Sequence, residues 1–82
     1  MAGVIDIRTE VLRAIIADIP RGEFETFAVL SDPRCRAGHP TLAGVADGTF
    51  NQLVGKALRR DHLKLGIDFV EQTSRVARWR KR

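Results

Sequence analysis

The residues best suited to chemistry lie in the second half of the chain. Asn51, Gln52, Lys56, Arg59 and Arg60 fall on the polar side of one helical repeat, and Arg75, Arg78, Arg80 and Lys81 follow near the end. Asn and Gln can bond an adenine edge through two atoms at once, and Lys or Arg can do the same to guanine or bond a phosphate. Arg adds a planar fork that matches phosphate oxygens, whereas Lys acts as a point charge. Gly55 sits among these residues at a cost of roughly 1 kcal/mol against Ala. A position without a side chain there permits close approach by another helix or by a nucleic-acid backbone. Alone, such a helix face reads better as ordinary solvated surface. The basic strand that follows it shifts the reading toward a polyanion ligand.

Other chemistries find less support. Cys35, His39 and His62 do not make a zinc site, because structural zinc takes about four ligands and there is no second Cys. Cys35 with a His partner is a conceivable nucleophile, but a chain this short leaves little room for a substrate cleft, and an inert thiol in a loop is the expectation. There are no paired carboxylates, no phosphate-cradling glycine loop and no nucleophile elbow. No catalysis, cofactor or metal is expected. Trp79, the only Trp, reads as core with its indole N–H at the rim, and each of the four Phe residues falls on or beside an apolar stripe.

These side chains need elements to hold them. Ile7, Val11, Ile15 and Ile19, widened by Leu12 and Ile16, predict an amphipathic helix. Asp6 or Thr9 would cap it, and Pro20 and Gly22 would stop it. Its outer residues Arg8, Glu10, Arg13 and Asp18 read as scaffold. Glu23 to Thr26 alternates like a short strand, after which Thr26 can cap a short helix through Leu30. Asp32 to Pro40 reads as a loop, punctuated by Asp32-Pro33, Gly38 and Pro40. Thr41 then caps a short turn from Leu42 to Ala46, and Asp47-Gly48-Thr49 breaks the chain and offers caps to the next helix. That helix has the clearest stripe: Phe50, Leu53, Val54, Ala57 and Leu58. Beyond it Leu63, Leu65, Ile67 and Phe69 alternate, predicting extended chain, and Val70 to Thr73 with Arg75 to Trp79 predict a hairpin around Thr73-Ser74. Residues 80–82 read as a basic tail, a candidate for disorder.

Composition bounds the rest. Eighty-two residues with 44% hydrophobic and 29% charged residues fit one globular α+β domain with one core. The net charge of +4 conceals an asymmetry: residues 1–33 hold six acids and three bases, whereas residues 34–82 hold eleven Lys/Arg and four acids. One end is therefore expected to attract polyanions. No apolar run approaches the ~18 residues of a membrane span, and no secretory signal pattern opens the sequence. A single Cys asks for no oxidising compartment. A cytoplasmic protein is expected, associated with the nucleoid if it binds DNA.

The run Phe50-Asn51-Gln52-Leu53-Val54-Gly55-Lys56-Ala57-Leu58-Arg59-Arg60, then Leu65-Gly66-Ile67 and a basic hairpin ending Arg78-Trp79-Arg80, resembles the C-terminal half of winged helix-turn-helix domains. The resemblance implies three to four helices with a C-terminal β-hairpin wing, the last long helix in a major groove and the wing along phosphates. Gly22-Glu23-Phe24-Glu25-Thr26-Phe27 and Gly48-Thr49-Phe50-Asn51-Gln52-Leu53-Val54-Gly55 also resemble stretches of short bacterial and phage proteins that carry no assigned function. The expected function is double-stranded DNA binding, as a transcriptional regulator or a phage or mobile-element accessory factor. The alternative is an interaction module whose basic face meets an acidic protein partner. A homodimer is compatible with either.

Overall fold

The computed structural model describes residues 7–73 and 76–82, so Asp6, Ser74 and Arg75 lie outside the described residues. The first helix, α1 (Thr9–Ala17), turns Leu12, Ile15 and Ile16 inward. Its N-cap position is Arg8, with no side-chain cap, and Thr9 is its first helical residue rather than its cap. The Thr9 hydroxyl donates instead to the Asp61 carboxylate at 2.8 Å. The helix stops three residues before Pro20, as proline's missing N–H and ring clash require.

After Gly22, whose φ of +119° favours glycine, strand β1 (Gly22–Glu25) leads directly into α2 (Thr26–Leu30). The segment expected as a loop from Asp32 to Pro40 contains a helical turn, α3 (Pro33–Ala37). Asp32 caps it, its carboxylate accepting from the Arg34 N–H, and Pro33 stands in the first turn, where a missing N–H costs nothing. Aspartate-proline therefore starts a helix here instead of breaking one. The turn expected from Leu42 to Ala46 lies earlier, as a 3₁₀ turn at Pro40–Leu42.

The longest helix, α4 (Asp47–Arg60), begins at Asp47 itself, without a side-chain cap, and buries Phe50, Val54, Ala57 and Leu58. The alternation from Leu63 to Phe69 is not all strand. A short helix, α5 (His62–Leu65), ends at Gly66 in the left-handed conformation, and strand begins only at Ile67. Leu63 is consequently exposed while Leu65 and Ile67 are buried. A period of two in four leucine-like positions is met equally by one helical turn joined to a strand by glycine.

Strands β2 (Ile67–Thr73) and β3 (Val76–Lys81) form the hairpin. Both β1 and β2 pair antiparallel with β3, which is central in the order β1-β3-β2. Residues 80 and 81 are part of β3, and the Arg82 N–H donates to the Gly66 carbonyl, so the expected loose tail is hydrogen-bonded into the sheet. One buried cluster joins Ile7, α1, Phe24, Val29, Cys35, Leu42, α4, Leu65, Ile67 and Trp79. Two of the four Phe residues depart from the expectation of core packing: Phe27 is 69% exposed and Phe69 is 45% exposed. In α2, Phe27 and Val29 are about 200° apart around the axis, so only one can face inward, and Val29 does.

Candidate functional site

The outward side of α4 brings together most of the helical candidates. Asn51, Gln52, Lys56 and Arg59 are all exposed and line one side of a groove of about 670 Å³. Their spacing explains this, since positions 52, 56 and 59 stack on one helix face and 51 and 55 lie beside them. Phe27 and Leu30 of α2 form one wall, and Gln72, Val76 and Ala77 of the hairpin form the other. The side chains of Asn51, Gln52 and Lys56 make no hydrogen bond or ion pair with another described residue. At Gly55 an added Cβ would meet nothing within 4 Å, so no other helix exploits its bareness.

Arg59 has a different status. Its guanidinium donates to the Gln72 side-chain oxygen and lies 4.8 Å above the Phe69 ring. Phe69 in turn meets Trp79 edge-on at 5.4 Å, and the buried Trp79 N–H donates to the Thr26 hydroxyl at 2.9 Å. That hydroxyl donates onward to the Ala77 carbonyl, so Thr26 ties α2 to β3 and does not cap its helix. Arg59 is thus the first link of a chain that fixes the hairpin against α4 and α2. A β-bulge makes the link possible. Phe69 pairs with Trp79 but Glu71 pairs with Arg78, one residue being accommodated between them. The extra residue reverses the facing of all that follows on β2. Gln72 consequently falls opposite Ala77.

The remaining basic candidates are spent inside the molecule. Arg60 turns to the end of the helix, where it bonds the Asp61 carboxylate at 2.8 Å. Asp61 is buried, and Arg60 foremost, then Thr9, pull its carboxyl down to about 2. Arg78 and Arg80 alternate with buried Trp79 and so project from the opposite sheet face. There Arg80 has Glu23 on one side and Asp68 on the other in the ladder, and Arg78 has Glu25 and Glu71. The contacts are 3.0 Å from Arg80 to Glu23 and 3.2 Å from Arg78 to Glu71, with Glu23 also 3.8 Å from Arg78. Arg82 meets Asp68 at 3.4 Å. Lys81 donates to the Ala17 and Ile19 carbonyls, satisfying the end of α1. The basic strand is therefore interleaved with acids, and it does not share the exposed face of Asn51, Gln52 and Lys56. Arg75 lies outside the described residues.

Cys35 is fully buried in α3, and burial pushes its thiol up to about 11, the opposite of an activated nucleophile. His39 faces the backbone, with Nδ1 donating to the Cys35 carbonyl at 2.6 Å and Nε2 accepting from the Arg8 N–H at 2.8 Å. Among the described residues no three His, Cys, Asp or Glu side chains converge as a metal site would need. Among them, too, no helix is long and apolar enough to cross a membrane.

Sequence reasoning missed Phe27, Gln72 and Val76 as groove residues, and the acids that neutralise β3. The signal for Phe27 was its spacing of two from Val29 within a very short helix. For the acids there was none, since their pairing depends on a bulge and on a non-adjacent strand. No protein family, curated protein or solved structure matches this chain.

Proposed function

We propose that this chain binds duplex DNA as a winged helix-turn-helix domain, with α4 in the major groove and the β2–β3 hairpin beside it as the wing. It would serve as a transcriptional regulator or a phage or mobile-element accessory factor. The observation that carries the reading is the exposed face of α4, where two amides and an ammonium group are uncommitted around a glycine that no part of the fold needs bare. The element order supports it: helix, strand, helices, long helix and then a hairpin whose second strand is central in the order β1-β3-β2. A helix locked to the core on one side, with a hairpin fixed against its flank, has the form that a major groove admits.

Phosphate contacts in this reading fall to Lys56, and much less to Arg78 and Arg80, whose charge the flanking acids offset. Base contacts fall to Asn51 and Gln52. Fluorescence anisotropy with short duplexes across a salt series tests the reading. The expected result is binding that weakens with salt, with a log–log slope of about −0.9 for each phosphate neutralised. Absence of binding at low salt would end it. One observation favours the second reading, an acidic protein partner: Phe27 and Val76 are exposed and apolar in the same groove as Lys56. A stoichiometric acidic protein that co-purifies, with no shift of any duplex, would decide for that partner.

A further inference from the structure

We infer that the groove reads A·T base pairs from the major-groove side, with Gln52 and Asn51 on adenine and Phe27 on the thymine methyl group. The inference rests on the DNA-binding reading and adds which feature of the duplex is recognised. A carboxamide holds a donor and an acceptor side by side, which matches the adenine N6 amino group and N7. Two such groups project from the first half of α4, exposed and without partners among the described residues. Guanine is read most often by Arg or Lys. The part of α4 before Lys56 carries neither, Lys56 is assigned to phosphate, and Arg59 is already engaged by Gln72 and Phe69.

Phe27 supplies the complementary half. It is the large aromatic residue left most open to water, at 69% exposure, and it stands on the α2 wall of the groove that the two amides line. The thymine C5-methyl is the apolar group that major-groove base edges offer to such a ring, and cytosine and the minor groove lack it. A carboxamide and an exposed ring in one groove therefore complement the two halves of an A·T pair. The charge of the groove agrees with a polyanion, since Lys56 and Arg59 outnumber Glu25, the acid among its described lining residues.

Four synthetic duplexes test this: alternating dA-dT, alternating dA-dU, which removes the methyl group alone, alternating dG-dC, and alternating dI-dC. The last presents the major groove of G·C with the minor groove of A·T. Anisotropy at fixed low salt should rank dA-dT about 5- to 100-fold above dG-dC and dI-dC. It should place dA-dU below dA-dT by about fourfold per methyl contacted. Phe27→Ala, a surface change that leaves the core intact, should erase the dT–dU difference, and Gln52→Ala should narrow the gap between dA-dT and dG-dC. Equal affinity for all four duplexes, with normal salt dependence, would overturn the A·T readout and leave DNA binding standing. Ranking of dI-dC with dA-dT would put the contact in the minor groove and likewise overturn it. No binding to any of them would overturn both the readout and the DNA-binding reading.

Discussion

Gly55 separates what the fold needs from what a ligand needs. Glycine inside a helix is less favourable than alanine by about 1 kcal/mol, because the unfolded chain has more freedom to lose. The space around Gly55 accepts a Cβ without contact. Gly55→Ala should therefore raise stability by up to ~1 kcal/mol in urea denaturation. The same variant should weaken duplex binding, with larger side chains weakening it further while the fold holds. If Gly55→Leu bound DNA as tightly as the parent, α4 would not lie against its ligand at this point. Asp61 gives a second prediction at this scale. Its carboxyl is held at about 2 by Arg60 and Thr9, below its ordinary value of 3.8. A depressed folded pKa contributes stability above the unfolded value, and that contribution is lost as pH falls from about 4 toward 2. Arg60 is half-exposed, so solvent screening limits the effect to on the order of 1 kcal/mol. Glu10 and Asp32 are also lowered, by its own helix N–H and Arg8 in one case and by Arg34 in the other, and they slope the same way. The Asp61 share is the part that Asp61→Asn removes: its stability should start lower near neutral pH and fall less between pH 4 and 2. Parallel curves for the two proteins would refute it.

At the scale of elements, the hairpin is tied to the helices by a few polar bonds around Trp79. The indole N–H is buried and its acceptor is the Thr26 hydroxyl. Thr26→Val keeps the shape but leaves that donor unpaired, at a cost of about 1–3 kcal/mol, and Thr26→Ser should recover most of it. Denaturation followed by the fluorescence of the single Trp reads both, and an unchanged midpoint in the valine variant would show that the bond is dispensable. Elements with long, regular patterns were legible without coordinates: the stripe of α1, the stripe from Phe50 to Leu58, and the alternating pair that became β2 and β3. The amide and lysine positions of the site were legible with them, because a buried stripe dictates the opposite face. Short elements were not. The turn at Pro33–Ala37 shares its Asp-Pro signature with loops, and the turn at His62–Leu65 shares its spacing with a strand. The bulge between Phe69 and Glu71 has no local signature either, yet it decides that Glu71 lies opposite Arg78 and Gln72 opposite Ala77.

Across the whole molecule, the charge asymmetry of the sequence is partly undone by folding, because the acid-rich first half supplies β1 to the sheet that carries the arginines. Glu23 comes from β1 and neutralises Arg80 and part of Arg78 on β3. A cation already paired in the free protein displaces few counterions when DNA arrives, since its exchange of partners is nearly balanced. An unpaired cation at the interface contributes fully. Lys56→Ala should therefore reduce the log–log salt slope by about 1 and weaken all duplexes alike. Arg80→Ala, on the other face of the sheet, should leave both slope and affinity close to the parent. The linear-charge view of the sequence predicts the reverse ranking, with the arginine-rich end dominating. If Arg80→Ala lowered the slope as much as Lys56→Ala, the outer sheet face would be the polyanion surface, and the ion pairs with Glu23 and Glu71 would have to open on binding. The comparison needs only two substitutions at exposed positions, each read in the same titration as the parent, so a loss of folding cannot imitate either outcome when circular dichroism is recorded alongside.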